Sequence, residues 1–225
     1  MFKYELHCHT GDVSLCSSLS PEDLVQRYRD AGYDGLVLTN HFSPMTFWRT
    51  GMVPTKAEAR RYLSAYHRAK AAAGEDFTVL LGVELRHYAT VNDYLLFGVE
   101  EDWLLWQGNM LLWSEKKMSE EAHRAGYLFY QAHPFRKFIT RADPGRIDGI
   151  EVYNGHTDAA VNALAVDWAK RTGKLVTSGS DTHTPEDTIA GGIVTKRKIR
   201  SNADLLDVLR SGDYTLLPDG LPSKL

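Results

Sequence analysis

Two histidines one residue apart, His7 and His9, end the first apolar run of the chain. Side chains at i and i+2 of a strand face the same way, so this pair presents two imidazoles side by side. Imidazole nitrogens combined with carboxylate oxygens suit a divalent transition metal. Four later apolar runs end in groups of the same kind: Asn40-His41, Glu84, His133 and Asp181-Thr182-His183. The donors at these run ends are five histidines (His7, His9, His41, His133, His183) and two carboxylates (Glu84, Asp181). A single zinc site takes about three or four protein ligands, so this set predicts two or three ions. Glu84 is the expected bridge, since each of its oxygens can serve a different ion. Asp12, on the loop after His9, offers a third carboxylate.

Donors this far apart in the chain need a scaffold that gathers them. The 225 residues are 43% hydrophobic, enough for a sizeable core in one domain spanning residues 1–225. Apolar runs of strand length alternate with amphipathic stretches of helical length, the pattern of α/β folds. Strands are expected at Phe2–Cys8, Gly35–Thr39, Phe77–Val83, Tyr94–Val99, Tyr127–Ala132, Ile150–Tyr153, Lys174–Ser178, Gly192–Thr195 and Tyr214–Leu217. Ser20-Pro21-Glu22-Asp23 reads as a helix start that Gly32 stops. Thr55 to Glu58 has capping-box spacing and opens a helix to about Ala73. Further helices are expected over Ser114–Arg124, Asp158–Arg171 and from Ser201 or Asn202 to Arg210. At least seven strands, most followed by a helix or long loop, predict a parallel (β/α)7 barrel of the TIM-like type. Functional groups in such barrels sit after the C-terminal strand ends, where all the metal candidates fall.

A formal charge of −3 argues against general nucleic-acid binding. No stretch approaches the roughly 20 apolar residues of a membrane span, and Met1–Glu5 leads straight into strand-like sequence without a signal peptide. The expected setting is cytoplasmic. Two cysteines, Cys8 and Cys16, make no disulfide framework. Cys8 faces away from its neighbouring histidines, toward the core.

At the metal-candidate positions the sequence resembles the polymerase and histidinol phosphatase (PHP) superfamily. The motifs appear in order as Glu5-Leu6-His7-Cys8-His9-Thr10, Thr39-Asn40-His41, Gly82-Val83-Glu84, Ala132-His133-Pro134 and Gly179-Ser180-Asp181-Thr182-His183. The resemblance implies a distorted seven-stranded barrel around two or three zinc, manganese or iron ions. It places His7, His9, Glu84 and Asp181 around one metal, Glu84 and His133 at a second, and His41 and His183 at a third. Asp12 is the chosen loop ligand of that third ion, with Ser14 and Cys16 as open alternatives. Asn40 departs from the usual Thr-Asp-His and loses a charge that would orient a ligand. Asn92-Asp93 stands where some members carry a further histidine, so Asp93 is a candidate for the second metal.

Free-standing members are mostly phosphoesterases, so the expected reaction is hydrolysis of a small phosphorylated metabolite or nucleotide by metal-activated water. Asp181, His183 and His156 are the catalytic candidates. Arg136, three residues after His133, and Arg86, two after Glu84, are the phosphate-binding candidates because guanidinium matches phosphate geometry. His87 is a weaker candidate beside Arg86. His67 and His123 fall within predicted helices and are read as ordinary surface residues. The aromatic stretch Trp103–Trp113 reads as packing or as a lid. Two rivals stand beside this reading. Amidohydrolase-type barrels share the opening HxH but commonly add a bridging lysine, and no lysine stands at a strand end here. A non-catalytic regulatory PHP module is the other.

Overall fold

The computed structural model describes residues 1–225. The first half of the chain forms β1 (Phe2–Glu5), α1 (Pro21–Asp30), β2 (Gly35–Leu38), β3 (His41–Phe42), α2 (Lys56–Ala73), β4 (Thr78–Leu81), β5 (Val83–Arg86) and β6 (Asp93–Phe97). There follow α3 (Glu101–Trp106), α4 (Glu115–Arg124), β7 (Leu128–Gln131), β8 (Gly149–Asn154) and α5 (Ala159–Thr172). The chain closes with β9 (Leu175–Gly179), β10 (Ile193–Thr195), α6 (Asn202–Ser211) and β11 (Tyr214–Leu216). Local chemistry sets the helix starts. The Ser20 hydroxyl accepts from Asp23 N at 3.1 Å, Pro21 opens α1, and Gly32 stops the chain at φ 75°. Thr55 accepts from Glu58 N at 3.2 Å, but the Glu58 carboxylate pairs with Arg61, so only half of the expected capping box forms.

The strands make two mixed sheets instead of one parallel ring. One has the order β11-β10-β1-β2-β4, the other β3-β5-β6-β7-β8-β9. Pairing is parallel at β1/β2, β2/β4, β3/β5, β7/β8 and β8/β9, but antiparallel at β5/β6, β6/β7, β1/β10 and β10/β11. A hairpin-length return between β5 and β6 forces the first of these reversals, since parallel neighbours need a long crossover.

The sheets are contiguous along one seam. The chain runs on from β2 of one sheet into β3 of the other, and from β4 into β5 across Gly82. A Cβ on Gly82 would lie 2.7 Å from Val37 Cγ1, so the break is fixed by close packing. On the other side, residues after β1 meet residues after β9: Asp181 N donates to His7 O at 2.8 Å and His9 N to Thr182 O at 3.0 Å. A single apolar cluster of 56 buried residues, drawn from both sheets and the helices, fills the interior. Trp103 packs edge-on to Trp113 and Tyr127, and Leu104, Met110 and Leu111 are buried, which makes this aromatic stretch packing. No helix is long and apolar enough to cross a membrane.

Candidate metal centre

The histidine pair lies just beyond β1, and a buried glutamate holds it there. Glu5 accepts from Leu6 N and His7 N at 2.9 Å and from Ser180 N at 3.0 Å, while its other oxygen takes the Tyr28 hydroxyl. One carboxylate thus pins the end of β1 to the end of β9, and His7 and His9 face Asp181. His7 Nε2 lies 3.3 Å from Asp181 Oδ1 and 3.4 Å from Glu84 Oε1. His9 Nε2 is 3.1 Å from Asp181 Oδ1 and 3.4 Å from Glu84 Oε2. His133 Nε2 meets Glu84 Oε1 at 3.0 Å, and His41 Nδ1 meets Glu84 Oε2 at 2.6 Å. The two Glu84 oxygens therefore face different histidines, as a bridging carboxylate requires. The rings of His41 and His183 each stack on His9 at 4.3 Å.

Donor atoms converge in four groups: His7, Glu84 and His133; His7, His9 and Asp181; His9, His41 and His183; and, at the rim, His156, His183 and Asp187. Inside this array His7 Nε2 is buried with no hydrogen bond. A buried polar atom without a partner is costly, and a cation among these nitrogens and carboxylates would satisfy it. The residues fit divalent metal. Two of the contributing residues adopt left-handed backbone, His133 at φ 26° and Asp181 at φ 55°. Such conformations cost of the order of 1–3 kcal/mol in a non-glycine residue and cluster at functional sites.

Charge is polarised across the array. Burial alone would raise the Glu84 pKa, but His41, His7 and His133 hold it well below the carboxylate range. Asp181 is likewise held low against burial by His7 and His9. Burial would lower the pKa of His7, yet Asp181, Glu151 and Glu84 raise it well above the usual histidine value; Glu84 and Cys16 do the same for His41. His9 is driven well below it by burial and by the neighbouring His41 and His183.

A family model for the PHP domain matches residues 5–172, and a PHP-associated model matches residues 160–214. The first covers well over half of the chain. The chain belongs to the PHP family. Solved structures agree on the fold. A two-domain protein from Bacteroides vulgatus, described as containing a predicted PHP-like metal-dependent phosphoesterase, aligns at TM-score 0.67 and 19% identity over 96% of this chain and 64% of its own. This PHP chain thus spans about two thirds of that protein. An amidohydrolase from Chromobacterium violaceum, solved with sulfate and no metal, aligns at TM-score 0.61 and 15% identity over 92% and 96% of the two chains. The lesion-specific endonuclease PfuEndoQ from Pyrococcus furiosus aligns at TM-score 0.61 and 11% identity over 96% and 57%. No curated protein matched the sequence.

Within the PHP chain, the fold gathers His7, His9, His41, Glu84, His133, Asp181 and His183 but leaves Asp12 out. The Asp12 carboxylate points to the surface and pairs with Arg68, which also binds Glu22. An arginine on α2 outcompetes the cluster for it. Cys16 stands at the cluster's edge: burial would raise its pKa, but hydrogen bonds with His183 and His41 bring it to about 6. Asn40 bonds Thr10 N at 2.7 Å and the Ser14 hydroxyl at 3.0 Å, and Ser14 in turn lies 3.3 Å from His9 Nδ1. The amide therefore ties the loop after His9 to β2 without needing the charge of an aspartate.

Arg136 donates to Asp181 Oδ2 at 2.6 Å and Asn154 Oδ1 at 2.7 Å, and lines a cavity of about 380 Å³ with His156, His183 and Cys16. Arg86 is bound by Asp93, Nε to Oδ1 at 2.7 Å, beside a cavity of about 450 Å³ that reaches His41. Asp93 itself is 3.8 Å from His133 Nε2. His156 sits at the rim, 3.1 Å from Asp187 Oδ2. His67 and His123 pair on the surface with Glu101 and Asp148, and Cys8 is buried. Sequence reasoning missed Glu151, a fully buried carboxylate that accepts from His7 Nδ1 at 2.8 Å, His133 N at 2.9 Å and Asn154 Nδ2 at 3.0 Å. It fixes the His7 tautomer with Nε2 facing the cluster. The signal available was a charged residue inside the apolar run Gly149–Asn154.

Proposed function

We propose that the chain is a metal-dependent phosphoesterase acting on a small phosphorylated metabolite or nucleotide with two or three divalent ions, zinc, manganese or iron. The observation that carries this reading is the convergence of five imidazoles and two carboxylates, with Arg136 hydrogen-bonded to one of them. Bound ions of this kind polarise phosphoryl oxygens and lower the pKa of water toward neutrality. His7, His9, Glu84 and Asp181 are the proposed holders of the first ion, Glu84 and His133 of the second, and His41 and His183 of the third. Arg136 is proposed to bind an equatorial phosphoryl oxygen, exchanging its Asp181 contact for substrate, while Arg86 steadies the far side. His156 is the proposed proton donor to the leaving alkoxide, with His183 taking that role only where it does not hold an ion.

A distorted (β/α)7 barrel forming one domain is the container we propose, supported by the shared seam at Gly82 and the contact between the ends of β1 and β9. The rival C–N hydrolysis of amidohydrolase type fits less well, because no lysine is buried in the molecule. A formal charge of −3 weighs against a long nucleic-acid substrate. Elemental analysis of protein purified without chelator, paired with phosphate release from a panel of mono- and diesters, tests the proposal. At least two ions per chain and turnover of some esters are expected. One ion or none, with no ester hydrolysed by metal-supplemented protein, overturns it.

A further inference from the structure

The loop after His9 places a thiol where the sequence suggested a carboxylate. Cys16 lines both cavities that flank the cluster, the one reaching His41 and the one reaching His183. Its position is held from both sides. Upstream, the Ser14 hydroxyl accepts from His41 N at 3.0 Å. Downstream, the Ser17 hydroxyl donates to His183 O at 2.7 Å and Ser18 N donates to the same oxygen at 2.9 Å. The two residues whose imidazoles flank Cys16 are thus the ones to which its own loop is tied. A turn closed by Ser17 N on Ser14 O at 2.9 Å fixes the segment between these anchors.

An independent feature marks this corner as a ligand position. Glu84 Oε2 is buried against it, 2.6 Å from His41 Nδ1 and 3.4 Å from His9 Nε2. The donor atoms of His9, His41 and His183 lie within 4.8 Å of one another. Asp12 is turned away from this corner and pairs with Arg68.

We propose that Cys16 supplies a thiolate ligand to the ion held by His41 and His183. The inference rests on the metal-dependent reading above. Its consequence is selectivity within one cluster. Sulfur with imidazole selects zinc or another soft ion, whereas groups that add a carboxylate to imidazoles, such as those around Glu84 and Asp181, also accept harder ones. The corner near Cys16 is therefore a zinc-preferring position beside sites able to take manganese or iron.

Cobalt(II) reports the bond directly. Chelator-treated protein reloaded with Co²⁺ should show a near-ultraviolet sulfur-to-cobalt charge-transfer band. That band should vanish in Cys16→Ala and persist in Asp12→Asn. Cys8 is buried and Cys16 is exposed, so a maleimide reports on Cys16 in the folded wild type. Zn²⁺ should slow that reaction at least tenfold, and Cys16→Ala should bind one ion fewer. Phosphoesterase activity with bound ions, but no charge-transfer band and unchanged maleimide reactivity with Zn²⁺, overturns this inference and leaves the functional reading standing. Absence of any bound transition ion overturns both.

Discussion

Arg136 has one guanidinium and several claimants at the residue scale. It spans Asp181, Asn154 and Thr157 at 2.6, 2.7 and 3.2 Å while remaining about 30% exposed toward the cavity. Arg136→Ala should leave metal content unchanged and lower kcat/KM for phosphoesters about 10- to 150-fold, the equivalent of a charge-assisted bond of about 1.5–3 kcal/mol. Arg136→Lys should recover part of that loss, because ammonium lacks the bidentate fork. Wild-type kinetics in the alanine variant would move the phosphate-binding role to Arg86 or His156. Glu151 acts one step further out. Glu151→Gln should weaken metal binding roughly 10- to 100-fold while kcat returns toward wild type at saturating metal. A metal affinity equal to wild type would show that His7 keeps its orientation without that carboxylate. The seven histidines and carboxylates of the cluster were legible because their side-chain types are rare at the ends of apolar runs. Glu151 was not: its one local sign is a charge inside an apolar run, and the partner that explains it, His7, lies 144 residues away. Asp12 stands apart from the cluster for a related reason, since its partner Arg68 lies 56 residues downstream on another element.

Elements obey the same division between local and distant causes. Helix starts at Ser20, Thr55, Ser114 and Ser201 follow from hydroxyls that accept backbone amides, chemistry written within four residues of sequence. Strand existence was equally readable from apolar runs, but strand direction was not, because a run of buried residues reads alike in parallel and antiparallel pairs. Hence β6 and β10 run against the expected parallel order, and short α3 lay hidden in the aromatic stretch. What these elements achieve is close approach at the cluster. Gly179 ends β9 directly against the first histidine: a Cβ there would lie 2.3 Å from His7 Cβ and 2.7 Å from Glu151 Oε1. Gly179→Ala should therefore displace His7 and sharply weaken metal binding, measured by titration of chelated protein with Zn²⁺, alongside a lower unfolding midpoint. Wild-type affinity in that variant would mean that the backbone after β9 yields without moving His7.

Concentrated charge makes the stability of the whole molecule depend on pH in opposite senses with and without metal. Without metal, Glu84 and Asp181 have depressed pKa values. Their ionised forms contribute stability above the unfolded carboxylate value near about 4, lost as pH falls through the depressed values. His7 and His41 have raised pKa values. Their protonated forms contribute fully below the unfolded value of about 6.5, and that contribution is lost as pH rises through the folded values. His9, with its lowered pKa, works the opposite way below about 6.5, but it is one group against His7 and His41. Metal-free protein is therefore expected to be most stable between about pH 4 and about pH 6.5 and to weaken toward alkaline pH. Metal reverses the trend, since it requires neutral imidazoles and must displace the protons held by His7 and His41. The rise in Tm on adding Zn²⁺ to chelated protein should be small at about pH 5.5 and several-fold larger at about pH 8. Thermal unfolding across that range, with and without chelator, makes the comparison. Equal metal-induced shifts at both ends would mean that carboxylates, already proton-free across this range, dominate binding, and that the imidazoles are not the principal ligands.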